Sequence, residues 1–342
     1  MSAPSIYRTV VVLAALVIFI AGIKAAAPLI VPFMLSVFIA LLLSPPLHLL
    51  IKKGVPKPVA FIVIIVLMLA LFISLTGLIS THIADLFAKS ESWQQSMMEN
   101  LQKWLVQLHE WGITIDKEAF FEFLQPQKVF SFTLSLLKNS TAILSNSFLI
   151  FFTVLFMLIE SFHIKEKIAY IEKSGASGFA DRIDAFTERL NHYFTLKAVT
   201  SALTGIWIIA VLYWFDIPYP VLWGVGGFVL NFIPVIGSII AAVPPVLIAL
   251  ATHGFADAIW VAGWFLVINT VIGNILEPKL MGKGLELSEL VVFLSLVFWG
   301  WVFGKVGMLL AVPLTMIVKF ALETSESTKW IGVLLSDSVK KR

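Results

Sequence analysis

Apolar runs long enough to cross a bilayer recur along this chain, and they dictate the fold class before any other feature is weighed. Spans are predicted at Thr9–Ile23, Ala25–Leu43, Val59–Ser80, Thr141–Ile159, Leu196–Phe215 and Ala258–Leu276, near the roughly 20 residues that a hydrocarbon core of about 30 Å requires. Of 342 residues, 59% are hydrophobic and 13% charged, against about 25% charged in an ordinary soluble domain. Hydrocarbon offers a peptide group no water, so a spanning segment must satisfy its own backbone, and a helix does so residue by residue. The expected fold is all-α: a polytopic membrane protein with about six full spans, two opposed helical hairpins, and amphipathic helices outside and inside.

The hairpins come from two apolar regions that a plain helix does not explain. "NFIPVIGSIIAAVPPVLIAL", Asn231 to Leu250, carries no charge yet contains Pro234, Gly237, Pro244 and Pro245. A shift of 69 residues lays "IGSIIAAVPPVLIAL" (Ile236–Leu250) on "KVGMLLAVPLTMIVK" (Lys305–Lys319), so that Ala242-Val243-Pro244 meets Ala311-Val312-Pro313 and Asn231-Phe232 meets Gly300-Trp301. Each copy reads as an apolar helix, a Gly- or Pro-rich break and a second short helix. About 14 residues at 1.5 Å each reach roughly 21 Å, short of the bilayer core. One span separates the copies, so they are expected to enter from opposite faces. Broken helices in opposed repeats are the architecture of secondary transporters, whose sites lie at the breaks. The simpler alternative is that the prolines kink ordinary helices. Lys305 falls at the second tip, where a charge at the bilayer centre would cost about 2.5–3.5 kcal/mol; with Trp299 and Trp301 beside it, the second hairpin is expected to cross almost fully.

Lys and Arg set the expected orientation. They crowd Lys52–Lys57, the segment from Lys165 to Lys197, and Lys340–Arg342, while the connections Asp216–Tyr219 and Thr252–Asp257 have none. Both termini cytoplasmic satisfies every cluster. Lys24 stands where a signal-peptide cleavage region would lie and a second apolar run follows at once, so the first run reads as an uncleaved span. The expected organisation is membrane spans over 1–80, an external amphipathic segment over 81–140, a fourth span over 141–160, cytoplasmic amphipathic helices over 161–195, a transport core with both repeats over 196–322 and a cytoplasmic tail over 323–342.

In the external segment Met97, Leu101, Trp104, Leu108 and Trp111 recur at four-three spacing, which suits packing on the protein's own surface or a coiled-coil-like contact with neighbouring subunits of a homo-oligomer. Phe179, Ile183, Phe186, Leu190 and Phe194 form a second stripe, explained by core packing or by lying on the membrane.

Polar groups within the apolar regions are few. Thr200, Ser201 and Thr204 mark one face of the fifth span, Asn269, Thr270 and Asn274 the sixth, and Asn231 and Ser238 flank the first break. Such groups bind an uncharged polar solute, or hydrogen-bond neighbouring helices and cap short ones. The candidate substrate contacts are Asn231, Pro234, Gly237, Ser238, Asn269, Asn274, Gly300 and Trp301. Glu277, at the end of the sixth span before Pro278, is a candidate for proton or cation coupling, or one half of an interfacial pair with Lys279 or Lys283.

Zero cysteines exclude disulfides and thiol chemistry, and the six His residues show no metal-ligand spacing. There is no H-E-x-x-H, no G-x-S-x-G and no Walker A loop, so no enzymatic activity, cofactor or ATP-driven step is expected. A net charge of +3 gives no reason to expect nucleic acid. The partners expected are the lipid bilayer and a small polar solute, with protons or sodium as coupling ions.

"NFIPVIGSIIAAVPP" (Asn231–Pro245), "NILEPKLMGKGLELS" (Asn274–Ser288) and "VVFLSLVFWGWVFGKVGMLLAVPL" (Val291–Leu314) resemble the signature regions of the autoinducer-2 exporter family of bacterial inner-membrane proteins. The resemblance covers nearly the whole chain and is most specific over Asn231–Leu314. It implies export of autoinducer-2, a small, polar, furanone-derived signal, from the cytoplasm. Other members are linked to sodium or lithium exchange for protons, which keeps an antiporter open; a non-transporting scaffold of another permease is a third reading. Many members carry His-Pro after the "MGKGLEL"-like block, where this chain has Ser288-Glu289. That departure removes any role assigned to the histidine and leans towards the autoinducer branch.

Overall fold

A computed structural model describes residues 3–124, 128, 131, 147–173, 179–281 and 287–337. The described elements are helices: α1 (Ala3–Ala25), α2 (Ala27–Lys52), α3 (Lys57–Ala88), α4 (Ser90–Glu110), α5 (Lys117–Leu124), α6 (Ser147–Ser161), α7 (Ile164–Lys173), α8 (Phe179–Trp214), α9 (Pro220–Leu230), α10 (Ile236–Thr252), α11 (Phe255–Ile268), a π-helical turn (Asn269–Leu276), α12 (Glu277–Met281), α13 (Glu289–Leu309), α14 (Ala311–Thr324) and α15 (Lys329–Leu334). Among them, five stretches are long and apolar enough to cross a membrane: Ala27–Lys52, Lys57–Ala88, Ala180–Trp214, Phe255–Leu280 and Glu289–Leu309. The apolar parts of α1 (Val10–Ala25) and α6 are shorter. Of the predicted span Thr141–Ile159, residues 141–146 lie outside the described residues. The fold is that of an all-α, multi-pass membrane protein.

The chain forms two compact units. Unit 1 comprises Met1–Ser44, Phe148–Asn191 and Lys283–Arg342; unit 2 comprises Pro45–Ser147 and His192–Gly282. The first helix–break–helix copy, α9 with α10, belongs to unit 2, and the second, α13 with α14, to unit 1.

Unit 2 is built around α10. Its core joins Leu222 and Trp223 of α9, Ile208 and Leu212 of α8, and Leu247 to Ala251 of α10, together with Met97 and Leu101 of α4. The four-three seam is thus largely covered by the chain's own residues: Met97, Leu101 and Leu108 are buried, Trp104 is half-buried and Trp111 exposed, with Leu105 buried next to Trp104. Each such side chain contributes roughly 1.5–3 kcal/mol relative to exposure to water. The contact is also polar. Asn100 Nδ2 donates to the carbonyls of Leu250 (2.9 Å) and Ala251 (3.2 Å), in the last turn of α10, where a helix leaves acceptors without intrahelical donors. Trp104 stacks on Phe255, ring centroids 3.7 Å apart. At the start of α9 the Tyr219 hydroxyl donates to Asp85 Oδ2, and its ring lies 4.9 Å from that of His82.

In unit 1, Ser36 Oγ of α2 donates to the Pro32 carbonyl (2.8 Å). Lys24 sits 3.9 Å over the Trp301 ring, a cation–π contact between α1 and α13. Phe186 of α8 stacks on Phe320 of α14 at 4.3 Å, so the second amphipathic stripe is used for packing, and Leu190 and Phe194 further along it are buried. The side chain of Phe179 lies outside the described residues.

The internal repeat is written into the backbone. In the first copy the chain breaks at Val235, with φ 61° and ψ −59°, and Ile236 N–H donates to the Pro234 carbonyl at 2.6 Å across a γ-turn. Sixty-nine residues later the second copy breaks at Gly304, φ 65° and ψ −145°, inside α13. Both tips then close on a glycine. A Cβ on Gly237 would run into the Leu230 carbonyl, and one on Gly307 into the Trp299 carbonyl. Leu230 and Trp299 are themselves 69 positions apart, and Gly237 and Gly307 are 70 apart, so the second tip holds one extra residue. In that copy the Trp299 indole N–H donates to Thr315 Oγ1 (3.0 Å), tying α13 to α14.

The return arms treat their prolines differently. α10 runs through Pro244 and Pro245, whereas Leu310 interrupts the second arm, so that Pro313 falls in the first turn of α14, where a missing N–H forfeits nothing. The two breaks also carry unequal strain. A β-branched residue in the left-handed region costs on the order of 1–3 kcal/mol, while glycine adopts it freely at an entropic cost of about 0.5–1 kcal/mol. Val235 is 77% exposed, so its side chain adds little packing to set against that strain. Val235→Gly is therefore expected to raise thermal stability, and Gly304→Val to lower it, each by about 1 kcal/mol or more, as measured by unfolding of the detergent-solubilised protein; equal melting of all three proteins would refute the strained-tip account.

Candidate functional site

One face of α8 carries Lys197, Thr200, Ser201 and Thr204, at spacings of three and four that stack them along the helix. All four are buried, with exposures of 5%, 0%, 0% and 7%. The Thr204 hydroxyl donates to the Thr200 carbonyl (3.0 Å) and the Thr200 hydroxyl to the Lys197 carbonyl (3.2 Å), which satisfies these hydrogens within the helix and leaves lone pairs to accept. Close packing brings this face up to α9: a Cβ on Gly205 would lie 2.8 Å from the Gly224 carbonyl oxygen.

Two partners meet the face. Asn231, which ends α9 at the first break, donates from Nδ2 to Ser201 Oγ at 3.0 Å. Glu277, which follows the π-helical turn, binds Lys197 Nζ through both carboxylate oxygens, at 2.7 and 2.9 Å, and its Oε2 lies 3.5 Å from Thr200 Oγ1. The pair is withdrawn from solvent, the side chains being 6% and 16% exposed. Tyr193, buried one turn before Lys197, extends the same surface.

Between the face and the break lies a cavity of about 10 Å³ bordered by Thr204, Asn231, Ser238 and Asn269, with apolar closure from Ile208, Ala241 and Phe265. That volume is close to the ~10–15 Å³ needed for a single water. The first break and the π-helical turn each supply one of its amides. A π-helical turn shifts the register of a helix and is frequent at functional sites; here it leaves Asn269 half-buried at the cavity, and Thr270 and Asn274 exposed.

Of the candidates read from the sequence, Asn231, Ser238 and Asn269 come together at this cavity. Pro234 and Gly237 build the break beside it, Pro234 accepting the γ-turn hydrogen bond and Gly237 admitting the Leu230 carbonyl. Asn274 points away. Gly300 and Trp301 belong to unit 1, where Gly300 packs against Met308 and Trp301 holds Lys24. Glu277 is ion-paired with Lys197, 80 residues earlier; of the two nearby lysines weighed as its partner, Lys283 lies outside the described residues. Lys197 and Tyr193 went unrecognised as site residues. In the sequence Lys197 counts only among the orienting charges, although it falls one helical turn before Thr200 and Ser201 on their own face.

The arrangement presents hydroxyls, amides and a compensated charge pair inside apolar helices. It can hydrogen-bond a small polar solute and hold a cation against Glu277, and it offers no nucleophile–base pair. Groups of three or more His, Asp or Glu able to hold a metal are absent among the described residues.

A polar face buried beside a broken helix, in a multi-pass helical protein, defines a membrane transporter. Residues 13–327 match the family described as AI-2E family transporters, and the chain belongs to that family. It is 38% identical to the AI-2 transport protein TqsA of Escherichia coli (strain K12) over 334 residues, 98% of this chain and 97% of that protein. A Haemophilus influenzae protein is 38% identical over 97% of both chains, and YhhT of Escherichia coli 35% identical over 94% of this chain and 92% of its own. The chain is thus a transporter and not an enzyme, a multi-pass protein of the bacterial inner membrane.

The Lys197–Glu277 pair makes the site's most direct energetic prediction. Removing one partner strands the other charge in an apolar bundle, which costs roughly 3–5 kcal/mol, whereas replacing both by apolar or neutral groups is close to neutral. Lys197→Met and Glu277→Gln should each lower the unfolding midpoint strongly, and the double variant should recover most of the loss. Additive losses in such a double-mutant cycle would show that the two charges are not coupled.

Proposed function

We propose that this protein exports autoinducer-2 from the cytoplasm, with the solute passing between the polar face of α8 and the first break. The observation that carries the reading is the convergence of Thr204, Asn231, Ser238 and Asn269 on one small cavity at a helix break. A polyhydroxylated solute needs donors and acceptors to replace its water, and these side chains are the ones buried there. The name of the Escherichia coli relative, an AI-2 transport protein, supports the choice of solute. A cavity of about 10 Å³ is closed to any such solute, so passage requires the break to move. Alternating access, in which the two helix–break–helix copies act as re-entrant hairpins from opposite faces, supplies that motion; the copies' shared break position supports it. With both termini cytoplasmic, the Lys- and Arg-rich connections stay inside. Signal measured inside and outside cells with and without the protein tests the reading: the protein should lower the internal share, and Asn231→Leu should lose most of that effect. Equal distributions in all three strains would overturn it.

The buried carboxylate supports a second reading, sodium or lithium exchange for protons. Glu277 is held by Lys197 alone among the described charged groups within ion-pair distance, and a cation or proton can take the place of that ammonium in one state of a transport cycle. In proteoliposomes with an imposed sodium gradient, Glu277→Gln should abolish proton movement. Unaltered exchange would remove Glu277 from the mechanism.

A further inference from the structure

The hydrogen bonds already made divide the four polar residues at the first break into two kinds. The Thr204 hydroxyl donates to the Thr200 carbonyl (3.0 Å) and the Asn231 amide to Ser201 Oγ (3.0 Å), so both have hydrogens committed to α8. Ser238 and Asn269 line the same cavity, yet neither side chain has a hydrogen-bond partner among the described residues.

Each of the two is left free by an irregularity of the backbone. The hydroxyls of Thr153, Thr200, Thr204, Thr252 and Thr315 donate to a carbonyl three or four residues back in their own helices, the usual outcome in apolar helices. Ser238 would reach back to Pro234, but Pro234 lies before the break, and its carbonyl accepts the Ile236 N–H across the γ-turn at 2.6 Å. The break thus takes away the customary acceptor. Asn269 opens the π-helical turn. Four residues on, Gly273 leaves room for its carboxamide: a Cβ there would stand 3.1 Å from Asn269 Oδ1, closer than an ordinary contact.

A hydroxyl and a carboxamide each combine donor and acceptor capacity, so together they can meet a solute hydroxyl in either orientation. Charged side chains are absent from the cavity lining among the described residues, and Lys197 and Glu277 are closed on each other. An ionised solute would lose its water there without gaining a counter-charge. We propose that Ser238 and Asn269 are the specificity-determining residues, hydrogen-bonding the hydroxyls of an uncharged solute, and that Gly273 positions Asn269 for that contact. The inference rests on the export reading above and adds a division of roles: α8 and Asn231 build the wall, and the two residues released by the break and the π-helical turn read the solute. A site made to bond a hydroxyl rejects an analogue that cannot donate, because its own polar groups are then left unpaired.

The test measures uptake of autoinducer-2 and of its O-methylated analogue into inverted membrane vesicles carrying the full-length protein. The readout is the preference, the ratio of kcat/KM for the two solutes, which does not depend on how much of a variant folds. The unsubstituted protein should prefer autoinducer-2 by about tenfold or more. Ser238→Ala and Asn269→Ala should each reduce that preference by about three- to tenfold, chiefly through KM, while Ser238→Thr, which keeps the hydroxyl, should retain it. Gly273→Ala should reduce it by about threefold from outside the cavity lining. Ser201→Ala, which frees Asn231, should lower the rate and leave the preference within about twofold. Unaltered preference in Ser238→Ala or Asn269→Ala, equal loss in Ser238→Thr, or equal loss in Ser201→Ala would overturn the assignment and leave the export reading standing. Unaltered preference in Gly273→Ala would overturn its positioning role. Equal uptake of both solutes by the unsubstituted protein would overturn this inference alone, whereas uptake of neither would overturn the export reading and this inference with it.

Discussion

A helix that stops inside an apolar bundle leaves donors and acceptors with no water to take them, and the organisation of unit 2 follows from that constraint. The first break meets it with a run of short local bonds: Asn231 N–H to the Gly227 carbonyl, Phe232 to Val229, Ile233 to Leu230, Ile236 to Pro234 and Gly237 to Ile233. Only a chain folded this tightly keeps its peptide groups occupied while reversing direction. The tightness has consequences. Val235 is driven into the left-handed region, and position 237 has no room for a side chain. At the far end of α10, Asn100 closes the same account by capping the carbonyls of Leu250 and Ala251 from α4.

Once the backbone is satisfied locally, the side chains at the break are available to their neighbours. Asn231 turns to Ser201, and the π-helical turn brings Asn269 to the same cavity. The Lys197–Glu277 pair stands one turn further along α8. In a low dielectric, a charge pair of this kind is worth little as a source of stability but is expensive to break. It therefore acts as a restraint: Glu277 can change its protonation or its partner only if Lys197 is compensated in another way.

Individual residues show how far the sequence could be read. The broken repeat was legible because helix breakers in an uncharged run have few physical explanations, and the 69-residue shift that aligns the copies also lays Val235 on Gly304, the two positions at which the structure breaks. Asn231, Ser238 and Asn269 were legible as polar residues in apolar surroundings. Asn274 was misleading for a physical reason: an α-helical period places it beside Thr270 on one face, and the π-helical turn leaves that face exposed while Asn269 alone lines the cavity. Glu277 was recognisable as an intramembrane acid, but its partner was not, since Lys279 and Lys283 are close in sequence and Lys197 is 80 residues away.

The sequence by itself determined that the chain is a multi-pass helical membrane protein with a duplicated broken segment, because apolar length, breaker position and repeat spacing are local or periodic properties. It also established the family, through blocks near both breaks. Tertiary structure decided which polar residues share a cavity, that the seam of α4 is covered by α10 and its surroundings, and that Glu277 answers to Lys197. Those outcomes depend on which helix faces are pressed together, and on a π-helical turn that shifts the register, quantities that no single segment encodes.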